Sequence, residues 1–176
     1  MGQGLILVHS KYGAAQKYAG WLKEKTGFPV LEAKQADREQ LAQPDTIILM
    51  GGVYASGIGG MGVLRKHWDL LDGKKLAVFA VGASPYEEGN LTLLKQRNLR
   101  PPMEQVPCFY GRGIWDLQVM SLVDRTMCKL LQKSVAKKPE GECQSWELAL
   151  REAGENRADW THPDYLQPVL EWLEKE

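Results

Sequence analysis

Two short segments, Thr46-Ile47-Ile48-Leu49-Met50 and Leu76-Ala77-Val78-Phe79-Ala80-Val81, carry almost nothing but apolar side chains. Successive strand residues point to opposite faces, so a strand with one wet face alternates apolar and polar positions. These segments do not alternate. They are also too short for buried helices and are bounded by turn residues. Each therefore belongs inside a sheet covered on both sides, the setting of parallel strands joined by helical crossovers.

The rest of the chain supplies those crossovers. Leu5 to Val8 predicts a first strand, and Tyr18, Trp21 and Leu22 recur at helical spacing until about Thr26, where Gly27 supplies a stop. Phe28 to Ala33 predicts a second strand, less apolar and so at an edge, and Asp37 to Ala42 a short helix closed by Pro44. Val63 to Leu71 reads as a helix ended by Gly73, Glu87 to Arg97 as another, and Val106 to Tyr110 as a further strand. Trp115 to Lys133 predicts a long amphipathic helix with Leu117, Met120, Val123, Met127 and Leu130 along one face. Lys137 to Glu142 reads as a solvated linker and Asp164 to Glu176 as a terminal helix on the outside. The expected class is α/β, a doubly wound parallel sheet, with a core over residues 1–136 and a linker and packing helix of the same domain over 137–176.

With 176 residues, 44% apolar and 25% charged, the chain can bury one ordinary globular core. Lys and Arg number 22, as do Asp and Glu, which excludes a polycation built for nucleic-acid phosphates. No run approaches the about 18 apolar residues of a membrane span, and the start of the chain lacks a basic segment before its apolar run. A cytoplasmic protein with no transmembrane segment is expected. Cys108, Cys128 and Cys143 form no Cys-x-x-Cys pair, and His9, His67 and His162 no His-x-x-x-His spacing. Neither a metal site nor a disulfide framework is therefore expected.

In open α/β sheets ligands bind beyond the carboxyl ends of the strands. After the first strand comes His9-Ser10-Lys11-Tyr12-Gly13-Ala14-Ala15, where a hydroxyl, a glycine and free amides at a helix start suit a phosphate; a plain polar turn is the other reading. After the third comes Gly51-Gly52-Val53-Tyr54-Ala55-Ser56-Gly57, whose Tyr54 either lies against a flat ring system or is a half-buried loop aromatic. After the fourth, Gly82-Ala83-Ser84-Pro85 leaves backbone amides open to a polar ligand edge. Gly57-x-Gly59-x-x-Gly62 matches the dinucleotide fingerprint only formally. It starts past the strand end, and no acidic residue closes a strand about 20 residues on. Arg112, between two glycines, either meets an anionic substrate or pairs with a local carboxylate, and pairing is the favoured reading.

At these loops the chain resembles the flavodoxin family, in the branch that includes menaquinone-dependent protoporphyrinogen oxidase. Ile6 to Gly13, Asp45 to Gly57, Lys75 to Pro85 and Phe109 to Gly113 carry the likeness. The resemblance implies a flavodoxin-like five-stranded sheet of order 2-1-3-4-5 and a non-covalently bound FMN. Ser10, Lys11, Tyr12, Gly13, Ala14 and Ala15 would hold the phosphate; Val53, Tyr54, Ala55 and Gly57 would lie beside the isoalloxazine, and Gly82, Ala83 and Ser84 along its other edge. One departure stands out. The family places Thr or Ser after the phosphate-loop glycine, whereas this chain has Ala14 and Ala15. Two missing hydroxyl donors, each contributing about 1.5–3 kcal/mol toward a charged acceptor, predict phosphate affinity weaker by an order of magnitude or more.

The resemblance implies a redox protein that exchanges electrons with a partner protein or a small-molecule donor or acceptor. An oxidoreductase acting on a porphyrinogen or quinone is the enzyme form of that reading. The residues offer no assignable general acid or base, and the Tyr110 to Trp115 connection is short for the inserted loop that chemistry uses. A flavodoxin-like scaffold that has lost tight FMN binding and serves as a binding or regulatory module is the alternative. A phosphoacceptor receiver is excluded, because His9-Ser10 and Met50-Gly51 stand where acidic residues are required. Trp146, Trp160 and Trp172 predict a tail packed on the domain or on a second copy in a homodimer. The neutral charge fits poorly with a freely diffusing carrier, which uses acidity to steer toward basic partners.

Overall fold

The structure, a computed structural model, describes residues 3–175; Met1, Gly2 and Glu176 lie outside it. Strands β1 (Gly4–His9), β2 (Val30–Glu32), β3 (Thr46–Tyr54), β5 (Lys75–Gly82) and β6 (Cys108–Arg112) form a parallel sheet in the order β2-β1-β3-β5-β6. The short β4 (Gly57–Ile58) turns back antiparallel on the end of β3. Without β4 the order is the expected 2-1-3-4-5.

Alternation along the inner strands feeds two separate cores. Leu5, Leu7, Ile47, Leu49, Val78 and Ala80 face one side. They pack there with residues of α2 (Arg38–Ala42), α3 (Met61–Lys66), α4 (Trp68–Leu71) and the segment after α5 (Glu88–Asn98), among them Leu41, Leu64, Leu71 and Leu99. Ile6, Val8, Ile48, Met50, Phe79 and Val81 face the other, against Tyr18, Ala19 and Leu22 of α1 (Ala14–Thr26). The two apolar segments are thus apolar throughout because both faces are covered. The edge strand β2, with every residue only half-buried, needs less.

The stretch read as one helix over Val63 to Leu71 breaks at His67 into α3 and α4. A larger difference follows β6. Trp115 lies in β7 (Ile114–Trp115), which pairs antiparallel with β8 (Ala158–Asp159), and the chain between them is a closed excursion. It holds α6 (Leu122–Ala136) and α7 (Ser145–Ala153) around a third cluster of Trp115, Leu117, Met120, Leu150 and Ala153. The helix begins at Leu122 because Ser121 caps it, its Oγ accepting from the Asp124 amide at 3.1 Å. Leu117 and Met120 are buried ahead of the helix, whereas Val123, Met127 and Leu130 are exposed. Periodicity located an apolar face but could not say that, among the described residues, it stays exposed.

The helix that packs on the sheet after the last strand is α8 (Gln167–Glu174), preceded by a 3₁₀ turn at Pro163–Leu166. Leu166 and Val169 are fully buried beside α1. Tyr18 ties these pieces together. Its hydroxyl donates to the Arg112 carbonyl at 2.7 Å and accepts from the His162 amide at 3.3 Å, and burial pushes its pKa well above the usual phenol range. Tyr18→Phe keeps the ring and removes both bonds. We expect a loss of about 1–3 kcal/mol in denaturant unfolding, with no change in m-value. No helix among the described residues is long and apolar enough to cross a membrane.

Candidate functional site

β1, β3 and β5 run side by side in register, with Val8 beside Met50 and Gly52 beside Val81. The loops that follow them therefore open on one edge of the sheet.

The first loop leads into α1 through Gly13, whose φ of 89° is left-handed and suits a residue without Cβ. No side chain caps this helix and its first turn holds no acidic residue, so its orphan amides point outward. The loop already uses some of its own donors. Gly13 N–H donates to Ser10 Oγ at 3.1 Å, and Lys11 N–H donates to the Tyr54 hydroxyl at 2.8 Å. Ala15 is buried and Ala14 packs partly against the same core, so both serve the helix-to-sheet contact.

β3 runs on through Gly51, Gly52 and Val53 to Tyr54, then reverses through Ala55 and Ser56 into β4. Both turn residues have positive φ, 47° and 66°. This is the geometry of a two-residue hairpin that usually recruits Asn and Gly, and here it carries strain of about 1 kcal/mol or more per residue. Asn98, at the end of α5 and buried, holds it: Oδ1 accepts from Ile58 N–H at 2.9 Å, and Nδ2 donates to the Ser56 carbonyl at 2.9 Å. Tyr54 folds back along β3. Its ring meets those of His9 and Tyr12 edge-on at 6.4 and 6.2 Å, and Lys11 Nζ lies 4.7 Å from its centroid. Burial raises its pKa, keeping the hydroxyl protonated.

In the third loop the carbonyls are bound from β6 and its extension. Gly113 N–H reaches the Gly82 carbonyl at 2.8 Å, Arg112 Nε the Ala83 carbonyl at 3.3 Å, and the Tyr110 hydroxyl the Ser84 carbonyl at 2.7 Å. Arg112 lies over the Trp160 ring, 4.2 Å from its centroid, so the cation meets a π face and a carbonyl instead of the expected carboxylate. Its Nη2 is buried and has no hydrogen-bond partner among the described residues.

Val53, Ala55, Gly82, Ala83 and Ser84 line one open cavity of about 790 Å³, bordered by Leu91, Leu94 and Arg97 of α5 and by Trp115, Trp146 and Leu150 of the excursion. Ser10 to Ala15, Tyr54 and Gly57 lie outside its lining. The structure thus gathers the second and third loops around a common space and sets the first beside it. Tyr12 and Ala83 both pack against the excursion's core.

Asp124 had no signal in the sequence. From the first turn of α6 its carboxylate accepts a bond from the Tyr12 hydroxyl and pairs with Lys11 Nζ at 3.3 Å. The Tyr12 hydroxyl, and after it the Lys11 ammonium, hold its pKa below the ordinary 3.8, so it is ionised at neutral pH. Only the fold brings it to residues more than a hundred positions earlier.

The sheet order, the three loops and the glycine-led helix start agree with one family, whose flavodoxin domain matches residues 5–141. The chain belongs to the flavodoxin domain family. This flavodoxin domain is similar to a protein classed provisionally as a flavoprotein from Bacteroides eggerthii, at 13% identity over 78% of this chain and 100% of that one, TM-score 0.48. It is similar also to a WrbA-like flavodoxin from Agrobacterium tumefaciens, at 17% identity over 71% and 88% of the two chains, TM-score 0.43. The Flv1 flavodiiron core of Synechocystis matches at 12% identity over 96% of this chain and 36% of its own, TM-score 0.45. No curated protein matches the sequence.

Proposed function

We propose that this flavodoxin domain is a flavin-binding redox protein, with FMN the flavin its family implies. The observation that carries the reading is the convergence of Val53, Ala55 and Gly82–Ser84 on one cavity beside the uncapped start of α1. The ring end suits a flavin. On its loop side the wall is made of small side chains and backbone, at Val53, Ala55 and Gly82–Ser84, and the opposite side carries apolar and aromatic groups at Leu91, Leu94, Trp115 and Trp146, surfaces that suit a flat ring. A bound flavin supplies one- and two-electron transfer; the chain's own part is to seat the ring and exclude water around it. On this reading the tail after residue 136 belongs to the same unit, since Trp160 and Trp172 pack against the cores that border the site.

The phosphate end does not suit FMN as it stands. Ala14 and Ala15 offer no hydroxyl, and Lys11 is engaged by Asp124 and Tyr54. That observation favours the second reading, a flavodoxin scaffold that has lost tight FMN binding. The oxidase-branch likeness adds a porphyrinogen- or quinone-linked reaction as a narrower proposal. A cavity bordered by Arg97, Arg100 and the aromatic rings of Trp115 and Trp146 supports it, and anaerobic turnover with a quinone acceptor tests it.

Purified protein, or apoprotein titrated with FMN and with riboflavin while flavin fluorescence is followed, decides between the first two readings. Binding of either flavin, with absorbance near ~450 nm, is expected. No binding of either at about 100 μM, where a ligand would hold under ~6 kcal/mol, leaves the scaffold reading in its place.

A further inference from the structure

Several polar groups of the first loop are held by partners within the chain. Ser10 Oγ takes the Gly13 amide, the Tyr54 hydroxyl takes the Lys11 amide, and Asp124 takes both the Tyr12 hydroxyl and the Lys11 ammonium. Asp124 comes from the excursion between β7 and β8, outside the sheet and its crossovers. Lys11, the one cation of the loop, is therefore neutralised by a carboxylate of the same chain, and the aromatic ring of Tyr54 lies beneath it.

A phosphate dianion entering this loop meets an ionised carboxylate instead of a free ammonium. The juxtaposition of like charges opposes it, and no hydroxyl at Ala14 or Ala15 offsets the repulsion. An uncharged ribityl chain meets no such opposition. From this geometry we infer that Asp124 is a specificity-determining residue that sets the site against phosphorylated flavins, so that the preferred ligand class is a flavin without a terminal phosphate. The inference rests on the flavin-binding reading and goes past it by naming the ligand class.

The terminal phosphate then lowers affinity. Riboflavin binds about threefold or more tighter than FMN, against the tenfold or greater preference for FMN that a free cationic cradle would give. Asp124→Asn keeps the shape of the side chain and an acceptor for the Tyr12 hydroxyl, but frees Lys11 and removes the repulsion. It raises FMN affinity about tenfold or more while leaving riboflavin affinity unchanged. Asp124→Glu keeps the charge and keeps the wild-type ratio. The riboflavin titration shows in each variant that the ring end remains folded.

The test is a pair of fluorescence titrations, FMN and riboflavin, on wild type and both variants at low and high salt. Selective gain of FMN binding in Asp124→Asn, diminished by salt, supports the inference, as does FMN binding that appears only in that variant. Wild type that binds FMN as tightly as riboflavin, or more tightly, overturns it, as does an unchanged ratio in Asp124→Asn. If riboflavin and FMN fail to bind wild type and both variants alike, the flavin-binding reading itself fails, and the inference with it.

Discussion

Replacing Asn98 by Ala is expected to lower stability by about 2–5 kcal/mol, the larger of two effects that bear on the site. Asn98 is only 4% exposed, and its amide serves three backbone groups: Ile58 N–H, the Ser56 carbonyl and the Leu94 carbonyl, each at 2.9 Å. Alanine removes all three bonds and leaves the Ile58 and Ser56 groups unpaired, at about 1–3 kcal/mol for each that stays dry. The strained turn at Ala55 and Ser56 loses its clamp at the same time, so its positive φ angles relax and the cavity wall moves. Denaturant unfolding measures the first effect. Hydrogen exchange at the Ile58 amide measures the second and is expected to quicken more than global unfolding alone explains. Unchanged exchange there would show that the hairpin does not depend on Asn98.

The second prediction contrasts neighbouring glycines. A Cβ on Gly51 would stand 2.2 Å from the Gly59 carbonyl oxygen and 2.7 Å from Ile58 Cγ2. Backbone is the obstacle, so Gly51→Ala must drive the β4 segment off β3, at about 1–3 kcal/mol or more. A Cβ on Gly52 would stand 2.4 Å from the Tyr54 hydroxyl, the free end of a side chain that can swing away. Gly52→Ala is therefore expected to cost less in stability, but to break the bond between Tyr54 and the Lys11 amide. Thermal unfolding ranks the pair, and the Lys11 amide resonance reports release of Tyr54 in the second variant. Equal destabilisation, with the Lys11 amide unmoved in both, would contradict this account.

These residues mark where sequence and fold part. The inner strands were legible because Ile47 to Met50 and Leu76 to Val81 are apolar at adjacent positions, which a strand tolerates only with both faces buried. The places of the loops followed, since parallel strands in neighbouring register end at one edge. Even the left-handed start of α1 could be anticipated from Gly13. The reach of the predicted helix into Trp115 could not, because a period of 3.6 marks an apolar face without naming its partner, and Ser121 rather than Trp115 begins the helix.

The sequence by itself thus determined a doubly wound sheet and the edge at which its loops meet, because strand burial and helix caps are local signals repeated along the chain. The tertiary structure alone decided the character of the site. Folding brings Asp124 to Lys11, Asn98 to Ser56 and Arg112 to Trp160. Each is a single polar side chain with no periodicity to announce it, placed by packing between elements far apart in sequence. A charge balance that reads as zero along the chain becomes, at the first loop, a specific ion pair between Lys11 and Asp124, residues 113 positions apart.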